Sequence, residues 1–232
     1  MTLFPGLLPR SPAAPDGIDL RCCDVATLLR EVRGARLVHA DPPWQYSTGA
    51  LGKGSAQPEL NGIYQCISDA DIVAHLDASF DSSAPNARFL CWYTFPKAAE
   101  WRAAGQAGPR WGPEVSGGAW VKTGQVGVGY HWRGQAEPVA LFTRGTTGRP
   151  ESLLLNGHVS EPGPHSEKPL EWLRAIVRAW TAPGDLVLDL YAGLAPMARA
   201  CALEGRRYAG AEIDPERHRR ALVRLSEAVQ GQ

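Results

Sequence analysis

Four predicted strands in this 232-residue chain each have an acidic residue at or just after their end, and this pattern constrains the fold more than any other feature. Each of these segments has the length of a buried strand, and candidate helices alternate with the strands. Strands that alternate with helices predict an α/β fold, with a doubly wound sheet whose two faces are covered. The four acids are Asp24, Asp41, Asp189 and Glu212. In such sheets, ligands bind beyond the carboxyl ends of the strands where the strand order reverses, so we expect a site at that edge.

The individual elements follow from apolar periodicity and from capping residues. Asp24 is a good N-cap for a first helix, and Pro169 suits the start of a helix with one apolar stripe. The expected strands lie at 18–23, 37–40, 88–93, 118–122, 138–142, 186–190 and 208–211. The expected helices lie at 25–32, 69–77, 96–105, 169–180 and 196–204, with a last one that begins near Pro215.

Length and composition predict one cytoplasmic domain. Residues 17–232 are expected to form that single domain, while residues 1–16 hold four prolines without periodicity and are expected to be a flexible arm. The formal net charge is +0, so any binding to nucleic acid must come from local patches. Five cysteines without a Cys-x-x-Cys spacing favour free thiols, and no His/Cys/Asp spacing predicts a metal site. No stretch is long and apolar enough to predict a membrane span.

The turn Asp41-Pro42-Pro43-Trp44 carries the expected catalytic chemistry. Prolines cannot continue a strand ladder, and they stiffen the chain where the strand ends. The Asp41 carboxylate and the Pro42 carbonyl could accept the two hydrogens of an exocyclic amino group and make its nitrogen nucleophilic. Trp44 could stack on the flat base and fix its angle to an incoming methyl group.

A second stretch predicts the cofactor half of the site. Asp189-Leu-Tyr-Ala-Gly193 joins a strand to a helix, and Glu212 follows the next strand about twenty residues later. This spacing is typical of an adenosine site, in which the second acid accepts the ribose hydroxyls. The full G-x-G-x-x-G is absent, because Leu194 and Ala195 follow Gly193. A cofactor with adenosine but no pyrophosphate, such as S-adenosylmethionine, fits better than a dinucleotide.

Together these motifs resemble the S-adenosylmethionine-dependent adenine-N6 methyltransferases of the DPPW type. The order of the motifs, with the catalytic turn first and the glycine loop last, is similar to that of the permuted (β-type) amino-methyltransferases. The resemblance implies a Rossmann-like class I methyltransferase sheet in a single methyltransferase domain. It also implies methyl transfer to N6 of adenine in nucleic acid, with DNA favoured over RNA because the end of the chain looks like the bacterial DNA enzymes.

The resemblance also assigns residues to the two halves of the site. The cofactor contacts it implies are Asp24, Val25, Asp41, Lys168, Asp189, Tyr191, Gly193 and Glu212, with Lys168 placed at the methionine carboxylate or the target nucleotide. The substrate contacts are Trp44, Tyr46, Lys122, Trp132, Arg133, Glu137, His165 and Ser166. The loops at about 45–61 and 123–135 are the expected recognition elements.

Three other functions remain open at this stage. The chain could methylate N4 of cytosine, or it could be a non-catalytic nucleic-acid-binding or scaffolding subunit of a methyltransferase pair. A nicotinamide-dependent oxidoreductase is disfavoured by the missing glycines. Nucleic acid is the expected partner, and a homodimer or a partner subunit is left open.

Overall fold

The computed structural model describes residues 14–44, 67–103, 106–121, 136–146 and 167–230. These residues form one seven-stranded sheet with helices on both faces, which confirms the expected α/β fold. The strands are β1 (Ile18–Cys22), β2 (Ala35–Ala40), β3 (Ser83–Trp92), β4 (Ser116–Val121), β5 (Ala136–Thr143), β6 (Leu186–Asp189) and β7 (Arg207–Glu212). The helices are α1 (Val25–Glu31), α2 (Asp69–Ser82), α3 (Ala98–Ala103), α4 (Leu170–Trp180), α5 (Pro196–Leu203) and α6 (Pro215–Gln230), with a 3₁₀ turn at Phe95–Lys97.

The strand order is β1-β7-β6-β2-β3-β5-β4, and it reverses between β6 and β2. From β6 the chain passes through α5 to β7 on one side, and from β2 it passes through α2 to β3 on the other. The strand pairs β1–β7, β7–β6, β6–β2 and β2–β3 are parallel, whereas β5 runs antiparallel to both β3 and β4. The expected switch point therefore lies between the strand before Asp41 and the strand that contains Asp189.

Each face of the sheet is covered by helices that bury one apolar stripe. Leu28 of α1 and Leu76 of α2 are fully buried on one face, in a cluster that also holds Trp44 and Trp101. On the other face, α4 contributes the predicted stripe with Leu173 buried, and α5 and α6 complete that layer. Both faces of the central strands β6, β2 and β3 are therefore largely buried, and the open positions of these strands lie at their ends.

Two boundaries differ from the sequence prediction by five residues. Helix α2 continues to Ser82 instead of ending near residue 77, because its last turn still buries Ser79 and Ser82. Strand β3 begins directly at Ser83, five residues before the predicted start, where Ser83 pairs with Ala35 of β2. Residues 1–13 of the expected arm and both expected recognition loops lie outside the described residues. Among the helices of the described part, none is long and apolar enough to cross a membrane.

Candidate active site

Strand register brings the ends of three strands into one row at the switch-point edge. His39 of β2, Asp189 of β6 and Gly210 of β7 are neighbours in the ladder. Asp41, Tyr191 and Glu212 each follow one of these by two residues. They therefore lie at the same edge. The first and last strands of the row are two strand spacings apart, which is about 10 Å in total.

Lys168 contacts the Asp41 carboxylate directly. Its Nζ lies 2.6 Å from Asp41 Oδ2 and 3.0 Å from Glu137 Oε2. The Lys168 side chain is 3% exposed, while that of Asp41 is 33% exposed. One side of the Asp41 carboxylate thus carries a buried ammonium, and the other faces the open edge. The resemblance placed Lys168 at the cofactor and Glu137 at the substrate, and the structure brings both to Asp41.

The rings of two tryptophans enclose this ammonium. Lys168 Nζ lies 4.9 Å from the ring centre of Trp92 and 6.0 Å from that of Trp120. A cation over an aromatic face is stabilised by the ring quadrupole, most strongly where water is excluded. The two carboxylates and the two rings therefore hold the lysine charged in a buried position.

The pKa directions in this cluster follow from burial and from opposite charge. Burial raises the pKa of the Asp41 carboxyl, and the Lys168 ammonium acts in the opposite direction. For Lys168, burial lowers the pKa, but Asp41 and Glu137 together raise it above its ordinary value. Lys168 therefore stays protonated at neutral pH and favours the ionised form of Asp41.

The turn after Asp41 is tight, as the two prolines predict. The Trp44 backbone N–H donates to the Pro42 carbonyl over 2.9 Å, which closes a three-residue turn. A carbonyl oxygen has two lone pairs, so Pro42 retains capacity for one further donor. Pro42 is buried and Pro43 is half-buried, so both contribute to a rigid support for Asp41.

Trp44 is part of the core in this structure. Its side chain is 4% exposed, its ring packs edge-on against Trp101 at 5.7 Å, and its Nε1–H donates to the Trp92 carbonyl. The ring thus anchors the turn and does not present an open face. The role of Trp44 in stacking on a base stays a prediction that requires one ring face to be uncovered.

Glu212 and Gly193 lie together on the cofactor side of the edge. The Glu212 carboxylate accepts the Asp214 N–H at 2.9 Å. Burial raises the pKa of Glu212, and the backbone N–H groups of Asp214 and Gly193 oppose that rise. A Cβ added at Gly193 would meet no atom within 4 Å, so the backbone there borders open space. The next residue after Glu212, Ile213, is 53% exposed, an apolar surface at this edge that the sequence did not single out.

Ala195 keeps a backbone shape that usually belongs to glycine. Its φ of 56° and ψ of 47° lie in the left-handed region, directly before α5. Ala195 thus adopts, without the second glycine of the motif, a conformation that glycine reaches freely. This conformation costs Ala195 about 1–2 kcal/mol.

Asp24 and Val25 occupy the start of α1, beside the end of β7. The Cys23 N–H donates to the Glu212 carbonyl, which extends the β1–β7 pairing to the helix. Asp24 is exposed and caps the helix by accepting bonds from the Thr27 N–H and hydroxyl, both at 2.8 Å, which lower its pKa. Val25 is buried. Asp24 thus lies beside the end of β7 with its carboxylate bonded to Thr27, and its contact with a cofactor stays a prediction.

Asp189 lies one step behind this edge. It is 1% exposed, and both its oxygens accept bonds from interior side chains. The Asp189 carboxylate therefore points into the core and is not exposed for direct contact with a cofactor. The following loop does reach the edge, where the Tyr191 hydroxyl lies 3.1 Å from His75 Nδ1 and burial raises the Tyr191 pKa.

The remaining predicted substrate residues lie outside the described part of the chain. These are Tyr46, Lys122, Trp132, Arg133, His165 and Ser166. Their roles stay predictions.

One family model matches part of the chain. A model of the N6/N4 methyltransferase family, described as DNA methylase, matches residues 128–223. A search of curated proteins found no match. The matched segment includes Lys168, Asp189 and Glu212 but not the Asp41 turn.

The fold is similar to those of solved DNA methyltransferases. TTHA0409 from Thermus thermophilus, a presumptive DNA modification methylase solved with S-adenosyl-L-methionine, is 19% identical with a TM-score of 0.67, over 92% of this chain and 97% of that one. M1.HpyAVI in complex with SAM is 15% identical with a TM-score of 0.65, over 90% and 98% of the two chains. The cytosine-N4-specific PvuII DNA methyltransferase is 12% identical with a TM-score of 0.63, over 96% and 95%. The chain thus has the fold of these enzymes and, over residues 128–223, matches the model of the N6/N4 DNA methylase family.

Proposed function

We propose that this protein transfers a methyl group from S-adenosylmethionine to an exocyclic amino group of a base in DNA, with N6 of adenine favoured. The observation that carries the proposal is the Asp41 carboxylate at the switch-point edge, with Lys168 2.6 Å away on its buried side. This arrangement holds an ionised acceptor in a fixed position at the edge where α/β sheets bind ligands.

Asp41 and Pro42 act on the amino group by accepting its hydrogens. Lys168 occupies Asp41 Oδ2, so the exposed part of the carboxylate is available to one N–H. The second lone pair of the Pro42 carbonyl is available to the other. Two acceptors on one nitrogen withdraw its hydrogens from the plane of the ring and return its lone pair to the nitrogen. The proton that this nitrogen loses on methylation leaves past Asp41, which is partly open to water.

The residues on the other side of the switch point fit the proposed cofactor. S-adenosylmethionine, when bound, supplies an electrophilic methyl group on a sulfonium. Glu212 offers a carboxylate for the ribose hydroxyls, Ile213 offers an exposed apolar surface for the adenine, and Gly193 leaves room for close approach. The family match and the relatives that were solved with this cofactor support the same assignment.

DNA is the proposed substrate because the family model is that of a DNA methylase. The amino group of a paired base is inaccessible inside a duplex, so the target must be flipped out or single-stranded. Cytosine N4 is the second candidate, since a relative of the same fold is specific for that atom. Both targets present an amino group to the same pair of acceptors.

The direct test incubates the purified protein with S-adenosylmethionine that carries a labelled methyl group, and with duplex DNA, single-stranded DNA or RNA. Digestion to nucleosides and mass spectrometry then identify the methylated atom. We expect N6-methyladenine from DNA and none from the Asp41→Ala variant, which should retain its fold by circular dichroism. Label on cytosine N4 would replace the adenine assignment, and label on no base despite bound cofactor would support the non-catalytic subunit.

A further inference from the structure

A buried row of four polar side chains crosses the sheet behind the active site. The Trp92 Nε1–H donates to His39 Nε2 at 3.0 Å, and His39 Nδ1 lies 2.9 Å from Asp189 Oδ1. The Tyr208 hydroxyl donates to Asp189 Oδ2 at 3.0 Å. The four residues lie on the adjacent strands β3, β2, β6 and β7, and each is at most 3% exposed. The catalytic steps proposed above use none of these side-chain bonds.

The donors in this row fix the proton positions. An indole nitrogen can only donate, so His39 Nε2 must accept and carries no proton. The imidazole proton is therefore on Nδ1, where it donates to Asp189. A second proton on His39 would face the indole N–H, so the geometry requires a neutral ring.

The sequence makes specific room for the far end of the row. Gly210 follows Tyr208 by two residues on β7, so both positions face the same side of the sheet. A Cβ at Gly210 would collide with the Tyr208 hydroxyl. Gly210 is also the ladder neighbour of Asp189, which explains how the phenol reaches across to the carboxylate.

The near end of the row touches the active site in two places. The Trp92 ring lies under the Lys168 ammonium, and the Trp92 carbonyl accepts the Trp44 Nε1–H. Lys168 in turn bonds to Asp41, and Trp44 ends the Asp41 turn. A change in the tilt of the Trp92 indole would therefore displace both Lys168 and Trp44, which hold the Asp41 carboxylate in place.

We propose that His39 is a positioning residue: it fixes the Trp92 indole against the Asp189 carboxylate and thereby sets how Lys168 and Trp44 hold Asp41. The inference rests on the proposed function for its catalytic consequence, but not for its effect on the Asp41 carboxyl. Asp189 serves here as the fixed acceptor between His39 and Tyr208, which gives this strand-end acid a role without a direct cofactor contact.

Two substitutions at His39 separate its two bonds. His39→Asn places an amide near the Nδ1 position, so it keeps a donor for Asp189 and removes the acceptor for Trp92. His39→Gln reaches the Nε2 position and restores that acceptor. Trp92→Phe removes the same bond from the other partner and retains a ring beneath Lys168.

The measured quantities are kcat, the KM for DNA, the cofactor Kd and the titration midpoint of the Asp41 carboxyl by carbon NMR. For His39→Asn we expect kcat to fall about 10-fold with the cofactor Kd unchanged, since small misplacements at the reacting centre act on the chemical step. The Asp41 midpoint should rise, because a displaced Lys168 favours the ionised carboxylate less. The titratable groups that face Asp41 in the described part are Lys168, Glu137, His39 and Cys91.

His39→Gln should recover part of the loss of kcat and part of the rise in the Asp41 midpoint. His39→Asn combined with Trp92→Phe should be no worse than either substitution alone.

Trp111→Phe is the matched control. Trp111 is 3% exposed, and its Nε1–H donates to the Leu76 carbonyl and the Ser79 hydroxyl, away from the Asp41 turn. It should lower the free energy of unfolding without changing kcat or the Asp41 midpoint. If His39→Asn behaves like this control, the row is only structural and the inference is wrong.

The NMR measurement separates this inference from the proposed function. If the unmodified protein methylates no base, the proposed function fails, while the Asp41 midpoint still reports whether His39 positions the carboxyl. A His39 ring that carries its proton on Nε2 would overturn the row itself.

Discussion

Within the described part of the chain, Lys168 supplies the only ammonium group in contact with the Asp41 carboxylate. Lys168→Met removes that charge, so the pKa of the half-buried Asp41 carboxyl should rise further. The acidic limb of the kcat–pH profile should then move to higher pH, and kcat at neutral pH should fall about 10²-fold, as for loss of one preorganised electrostatic group. The check is a pH–rate series on both proteins.

Lys97→Met is the control for this prediction. Lys97 is also buried and its Nζ lies 2.8 Å from Asp69, so its loss likewise breaks an ion pair. It should reduce stability and leave the acidic limb in place. An unchanged limb in Lys168→Met would show that Lys168 does not control Asp41.

The same residues show how far the sequence predicts a site. Asp41 and Glu212 follow buried strands in the sequence, and parallel strands bring such positions to one edge. The contact between Lys168 and Asp41 could not be predicted in this way, because 127 positions separate the two residues and no local period relates them. His39 and Ile213 looked like ordinary strand and turn residues. Their significance comes from ladder register and exposure, which exist only in the folded chain.

Ala195 provides a prediction about the loop before α5. Ala195→Gly should change the free energy of unfolding by less than about 1 kcal/mol, because relief of the left-handed strain and loss of one buried methyl group are of similar size. Ala195→Val should destabilise the protein by about 2 kcal/mol or more, since a β-branched residue tolerates a positive φ poorly. Chemical denaturation measures both. Equal stability of the two variants would contradict the left-handed conformation.

At the scale of elements, capping signals and apolar stripes were enough to locate most helices and strands. Asp24 and the stripe of α4 lie as predicted. The boundary between α2 and β3 was missed because Ser82-Ser83-Ala84-Pro85-Asn86 has the composition of a turn. In the fold these residues join helix and strand without a loop, since β2 offers Ala35 as a ladder partner for Ser83. Tertiary pairing overrides local propensity at such a position.

The α1 cap gives a test at this scale. Asp24→Ala should lower the free energy of unfolding by about 1 kcal/mol at neutral pH, because the Thr27 N–H loses its acceptor. The pKa of Asp24 is lowered in the folded protein, so the cap's contribution is present above the unfolded pKa and disappears as pH falls through the folded one. The difference between the two proteins should therefore shrink in acid. Asp24→Asn, which keeps an acceptor, should remain close to the unmodified protein in denaturation at neutral pH.

For the whole molecule, the important fact is that the two halves of the site lie on opposite sides of one switch point. The Asp41 turn follows β2, whereas Glu212 ends β7, and β6 with its loop lies between them. A ligand that reaches from one to the other bridges both halves of the sheet. Its binding energy should therefore stabilise the complete fold.

S-adenosylmethionine should accordingly raise the thermal midpoint of the whole domain. At a concentration 100 times Kd, binding contributes about 2.7 kcal/mol, which corresponds to about 5–10 °C for a chain of this size. Glu212→Gln should reduce the shift because the amide is a weaker acceptor for the ribose hydroxyls, and NAD should give no shift.

Burial raises the pKa of Glu212, so the thermal shift should also decline in acid at a higher pH than an ordinary glutamate would require. The exposed carboxylate of Glu216 is the control, and Glu216→Gln should leave the shift unchanged. A shift with NAD and none with S-adenosylmethionine would favour the oxidoreductase instead, because the same edge would then bind a dinucleotide.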